Sequence, residues 1–129
     1  MQNEPIWLSA AEIIDINRLE VEETGERHFL LQPDLLESAA ARPINLWAYE
    51  DEEDIVRLAA TLLYGLAKNH AFEQGNKRTA LTAALTFIEA NGYRWIKEDD
   101  EELGHWVEEL TTDQITQDDF AERIRPYVT

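Results

Sequence analysis

The chain has 129 residues with 44% hydrophobic positions, four Trp and no cysteine. That suits one domain spanning residues 1–129, with its own core and neither disulfides nor thiolate metal sites. Eleven basic against 27 acidic residues leave a net charge of −16, which excludes a broad nucleic-acid surface and adhesion to an anionic membrane. No apolar run approaches the roughly 20 residues of a membrane span, and Met1–Pro5 lacks the features of a secretory signal, so cytoplasmic residence is the expectation.

Pro5 keeps the first residues extended. Ser9 followed three residues later by Glu12 is a capping-box pattern, predicting a helix from Ala10 to about Thr24-Gly25. Ala10, Ile13, Ile14 and Val21 share a face, which polar Asn17 interrupts. Residues 27–32 have short β-like character, and His28 there reads as an ordinary surface or half-buried histidine. Pro33 suits the first turn of a short helix over residues 33–41, which Arg42-Pro43 is expected to end. Residues 45–49 then form a loop whose aromatics serve packing. The acidic run from Glu50 to Asp54 opens a long helix, where its dipole favours carboxylates.

From Ile55 to Asn69 apolar residues cover more than half of the helical wheel, marking a central helix packed on several sides. The same holds from Ala80 to Ile88, with Asn91-Gly92 closing that helix. Tyr93–Ile96 reads as a short extended piece. Glu98–Glu102 opens another helix, with Leu103, Trp106, Val107 and Leu110 at helical spacing. His105, with Glu101 and Glu109 four residues to either side, reads as part of a surface ion-pair face, a two-ligand metal site being the rarer alternative. Phe120, Ile124 and Tyr127 define a last short helix. The prediction is an all-α bundle of about six helices with at most a small β element.

Chemistry concentrates in the stretch from His70 to Thr79, between the two buried helices. His70 can act as a general base at neutral pH. Phe72, between polar neighbours, anchors the loop into the core. Gly75 permits a tight turn and close phosphate approach. Asn76 is suited to bond a phosphate oxygen or to cap the next helix. Lys77 and Arg78 stand at that helix's start, where cations are unfavourable unless an anion is bound. Lys68, Lys77 and Arg78 oppose only Glu73 over residues 68–78, a cationic island that suits a nucleotide triphosphate.

The pattern His70-x-Phe72-x-x-Gly75-Asn76-Lys77-Arg78-Thr79 resembles the signature of the Fic/Doc superfamily, and specifically its death-on-curing (Doc) branch. Residues 35–43, 45–49 and 79–92 are similar to segments flanking that signature in the family, so the resemblance covers roughly residues 8–95. It implies a Fic/Doc helical bundle with a flap near residues 27–32, His70 as base, and Lys77 and Arg78 neutralising the transferred group. In AMP-transferring members a Gly stands at the position of Lys77 and a second Arg at that of Leu81. The Doc branch shares both changes, which implies ATP bound in the reversed sense and transfer of its γ-phosphoryl group to a threonine of elongation factor Tu. AMP transfer to a protein hydroxyl is the runner-up.

The family places Asp or Glu, orienting Mg²⁺, where this chain has Gln74, a neutral ligand for a metal that prefers anionic oxygen. That leaves open a metal resting mainly on the nucleotide, a weaker activity, a different chemistry, or a weakly catalytic module that sequesters a partner. The family's inhibitory pattern, Ser/Thr-x-x-x-Glu before Gly or Asn, does not occur in the sequence. Inhibition is therefore expected from a separate antitoxin with a segment that folds on binding.

Overall fold

The computed structural model describes residues 3–129. Its helices are α1 (Ala10–Thr24), α2 (Pro33–Glu50), α3 (Ile55–Asn69), α4 (Asn76–Ala90), α5 (Glu101–Thr111) and α6 (Gln117–Ile124), followed by a 3-10 turn, Arg125–Tyr127. Two isolated antiparallel bridges, Leu30 to Phe72 and Trp95 to Val128, are the β pairing among the described residues. The expected all-α bundle is the architecture found.

Helix α3 is its axis. Ten of its fifteen residues are buried, and it packs against α2, α4, α5 and α6. Burial on every side follows from the apolar wheel, and α4 brings Ala80, Ala83, Ala84, Phe87 and Ile88 to the same core. The α2–α3 crossing is close. A Cβ at Gly65 would stand 2.9 Å from Arg42 Cδ and 3.4 Å from Ala39 Cβ. Helix α1 begins with the expected box: Glu12 N–H donates to Ser9 Oγ at 3.1 Å and Ser9 N–H to Glu12 Oε1 at 2.9 Å.

Two expectations are corrected in α2. The helix does not stop at Arg42-Pro43 but runs to Glu50, and residues 45–49 are helical rather than a loop. Proline inside a helix costs about 3 kcal/mol, yet the continuation packs Leu46 and Trp47 against the core. Burying two large apolar side chains gains about 1.5–3 kcal/mol each when complete. Trp47 also meets the edge of Trp7 at 6.1 Å. Tertiary burial therefore overrides the local breaker. The acidic run is split as well: residues 51–54 are not helical, and Asp54 alone caps α3, accepting from Val56 N–H at 2.9 Å.

The C-terminal segment is tied back. Arg94 N–H donates to Thr129 O at 2.8 Å and Thr129 N–H to Arg94 O at 3.0 Å, which accounts for the extended piece near Tyr93. Arg125 Nη2 meets Asp54 Oδ2 at 2.6 Å, fastening the terminal turn to the start of α3. Burial pushes the Asp54 carboxyl up, but hydrogen bonds from Arg125 and Val56 N–H outweigh it and hold the group below its ordinary value. No helix among the described residues is long and apolar enough to cross a membrane.

Candidate active site

Helix α3 stops at His70, whose φ of 49° puts it in the left-handed region. Beyond it Ala71 and Phe72 plunge into the core, 2% and 3% exposed. Residues 29–32 pair with this descent: Leu31 and Gln32 N–H both donate to Ala71 O, and Glu73 N–H donates to Phe29 O at 2.9 Å. The β-like piece read from the sequence therefore forms one wall of the turn. Asn76 closes it, its Oδ1 accepting from Phe72 N–H at 3.0 Å and its Nδ2 donating to Phe72 O at 2.8 Å. The capping reading of Asn76 is corrected: its side chain staples the turn, and α4 starts with no side-chain cap. Gly75 makes the final bend at φ 73°, where a Cβ would meet Val21 Cγ1 and Arg78 Nη2, each at 3.1 Å. Any other residue is strained there.

Beneath the turn lies a buried polar centre. Asn17 is 0% exposed. Its Nδ2 donates to Gln74 O at 2.9 Å and to Thr79 Oγ1 at 3.0 Å, and its Oδ1 lies 2.7 Å from His28 Nδ1. With both Nδ2 hydrogens spent, Oδ1 is the acceptor and His28 Nδ1 carries the proton. His28 is half-buried, its ring tilted over Phe72 at 6.1 Å, so it works below the turn rather than in the cleft. In the sequence Asn17 reads only as an interruption of an apolar stripe. The usable signal was its place between Ile13 and Val21 at i, i+4, i+8: an amide buried in an apolar stripe must be fully hydrogen-bonded.

Above the turn is a cleft of about 340 Å³ lined by Glu26, His70, Glu73, Gln74, Gly75, Asn76, Lys77 and Arg78. The first intrahelical bond of α4 is Thr79 N–H to Gly75 O at 2.9 Å, so the N–H groups of Asn76, Lys77 and Arg78 have no helical acceptor. They stand at the positive end of a fifteen-residue helix. A second groove of about 400 Å³ shares Lys77 and Arg78 and continues past Leu81 and Val107. A larger cleft of about 570 Å³ between residues 3–6 and Tyr93 is lined by no histidine, lysine or arginine. Volume alone does not make a site.

The cationic island is corrected by the fold. Lys68 pairs with Asp113 at 2.8 Å, Lys77 with Glu108, and Arg78 with Glu26, all carboxylates distant in sequence. Glu73 pairs with Arg27 at 3.2 Å. The Thr24 hydroxyl and Arg78 hold the Glu26 carboxyl below its ordinary value. Lys68 holds Asp113 down, helped by Tyr64, and is itself raised by that partner. These cations are neutralised, but by exposed pairs that contribute little and exchange readily.

Among the described residues no group of three or more His, Asp or Glu is arranged to hold a metal ion. The expected ion-pair face around His105 is corrected: the residue is exposed and forms no salt bridge among the described residues, Glu109 pairing instead with Arg123, and no third ligand gathers there to favour the metal alternative. The side-chain oxygens lining the cleft are the neutral amide oxygens of Gln74 and Asn76, the latter already accepting from Phe72 N–H, and carboxylates bound to arginines. These residues build no free-standing magnesium site.

A histidine closing one buried helix, a stapled turn and an uncapped helix start lie together within residues 70–78. They fall inside a match to the Fic/DOC family over residues 7–88, which runs from the entry to α1 almost to the end of α4. The chain belongs to the Fic/Doc family. "Protein kinase doc" of Escherichia phage P1 is 30% identical over 118 residues, covering 92% of each chain. "Toxin Doc" of Mycolicibacterium smegmatis (strain ATCC 700084 / mc(2)155) is 38% identical over 85 residues, covering 65% of this chain and 63% of its own. The chain thus falls in the Doc branch of the Fic/Doc family, the branch that Lys77 and Leu81 indicated.

Proposed function

We propose that this Fic/Doc protein is the toxin of a toxin–antitoxin pair and arrests translation by transferring the γ-phosphoryl group of ATP to a protein hydroxyl. Elongation factor Tu is the first target to test. The observation that carries the reading is the placement of His70 on the same cleft as the free N–H groups of α4 and the side chains of Lys77 and Arg78. In such a reaction the substrate oxygen forms a bond to the γ-phosphorus, the bond to the bridging β–γ oxygen breaks, and ADP leaves with the bond's electrons. His70 takes the hydroxyl proton as it does so. Lys77 and Arg78 exchange Glu108 and Glu26 for phosphate oxygens, and the α4 N–H groups bind the same anion. Gln74 would offer a magnesium ion only a neutral amide oxygen, so any charge neutralisation by the metal would depend on its binding with the nucleotide.

Residues 29–32 fit a docking edge for the target. Phe29 and Leu31, 44% and 51% exposed, stand beside the turn that this segment walls. The antitoxin is a separate chain with a segment that orders on binding. The test uses ATP labelled on its γ- or its α-phosphorus, incubated with elongation factor Tu and this protein. The expected result is label on the target from the γ-position only, lost with His70→Asn. Label from the α-position establishes AMP transfer instead.

One observation favours a second reading, a partner-binding module with little catalysis: Gln74 is neutral and both cleft cations are already paired. That reading expects no transfer until Gln74→Asp supplies a carboxylate, and partner capture indifferent to ATP. Phosphoryl transfer by the wild-type chain removes it.

A further inference from the structure

We infer that Asn17 is a positioning residue for the phosphate turn: by holding the Gln74 carbonyl inward, it aims the Gly75 N–H outward into the cleft. This rests on the reading of that cleft as a nucleotide-phosphate site. A trans peptide is planar, so its C=O and N–H point in opposite directions. The Gln74 carbonyl is turned toward α1, where it accepts from Asn17 Nδ2 at 2.9 Å. The N–H of the same peptide, which belongs to Gly75, therefore points away from α1, on the side where Gln74 and Gly75 line the cleft.

The backbone does not choose this orientation unaided. Gly75 lacks a Cβ, and a peptide next to glycine rotates between turn types with little steric resistance. An external donor has to decide, and Asn17 is the donor present. Its own orientation is fixed twice. The second Nδ2 hydrogen goes to Thr79 Oγ1 at 3.0 Å, and Oδ1 faces His28 Nδ1 at 2.7 Å. Reversing the amide would set Oδ1 against the Gln74 carbonyl, two acceptors face to face. The Asn17 side chain is wholly buried, so water cannot substitute for it. Helix α1 thus reaches through the core to orient a donor that it does not itself present.

The experiment follows the Gly75 amide by ¹⁵N–¹H NMR of the full chain while inorganic tripolyphosphate is added, with Asn17→Asp and Thr79→Val alongside. An aspartate still accepts from His28 and from the Thr79 hydroxyl, but it cannot donate to the Gln74 carbonyl. Thr79→Val removes a bond of the same kind without touching the turn. The expected result is a saturable downfield shift of the Gly75 proton in the wild type. In Asn17→Asp that shift is lost and tripolyphosphate binds roughly tenfold more weakly, the worth of one hydrogen bond to a charged group. Thr79→Val keeps the shift, with affinity within about twofold. A purely structural role for Asn17 instead makes the two variants behave alike. If Asn17→Asp does not fold, Asn17→Leu, close in volume and without polar atoms, takes its place. A folded Asn17 variant whose Gly75 responds as the wild type does overturns the inference alone. A wild-type Gly75 indifferent to tripolyphosphate overturns the phosphate-site reading, and the inference falls with it.

Discussion

The turn between α3 and α4 has two unlike sides. Below, Asn17, Phe72, Asn76 and Thr79 meet in hydrogen bonds that leave no buried side-chain polar atom unpaired among the described residues. Above, His70 is exposed, and Lys77 and Arg78 are held only by pairs whose side chains are 45% and 50%, and 43% and 33%, exposed. Exposed pairs are worth about 0–1 kcal/mol, whereas stripping a partner from a buried polar group costs about 1–3 kcal/mol. The lower side is therefore built to stay, and the upper side to be exchanged. A phosphate-binding loop needs both: donors that do not reorganise, and counter-charges that step aside for the ligand.

Substitutions on the two sides should fail in different ways. On the lower side, Phe72→Ala is expected to cost about 3–5 kcal/mol of stability, as for other buried aromatics, and to remove activity with the fold; urea unfolding measures it. On the upper side, His70→Asn keeps a residue tolerant of the left-handed conformation. It is expected to lower transfer by a factor of about 10²–10⁴ with the urea midpoint unmoved. Gly75→Ala crosses between the two, since its Cβ at positive φ strains the turn and presses on Val21 and Arg78. A loss of about 1–2 kcal/mol should accompany weaker triphosphate binding in calorimetry. If Gly75→Ala disturbs binding without stability, the lower side is loose enough to absorb the added Cβ.

Much of this was legible in the sequence, for local reasons. The capping box at Ser9, the apolar wheel of α3 and the motif's spacing are short-range signals, and each led to the element found. The failures share a cause. Pro43 reads as a stop because its penalty is local, while the burial of Leu46 and Trp47 that outweighs it is not. The cationic island looked free because its partners, Glu26, Glu108 and Asp113, lie 52, 31 and 45 residues away in sequence. Asn17 sits 57 residues from the carbonyl it holds. No window along the chain brings these together. The packing of α1 against α4 and of α5 against α3 does so.

Smaller effects sharpen the contrast. Glu26→Gln removes the carboxylate that competes for Arg78, so triphosphate should bind about two- to fivefold more tightly at neutral pH, as the loss of one exposed ion pair allows. Calorimetric titration beside Glu108→Gln would show whether the two carboxylates act alike. The Asp54–Arg125 clasp, far from the cleft, is expected to affect stability alone. The folded Asp54 carboxyl lies below its ordinary value, so its contribution is present above the unfolded value and fades as pH falls through the folded one. Asp54→Asn should therefore be less stable than the wild type at neutral pH, with the difference vanishing in acid; urea midpoints at the two pH values check it.

Hydrogen exchange read by mass spectrometry, with and without ATP and Mg²⁺, tests the division of the turn most directly. Nucleotide is expected to slow exchange of the amides of residues 75–78, for which the free protein supplies no acceptor, while Phe72 and Thr79, already bonded, keep their rates. Protection spread evenly through α3 and α4, or none at residues 75–78, would contradict that division.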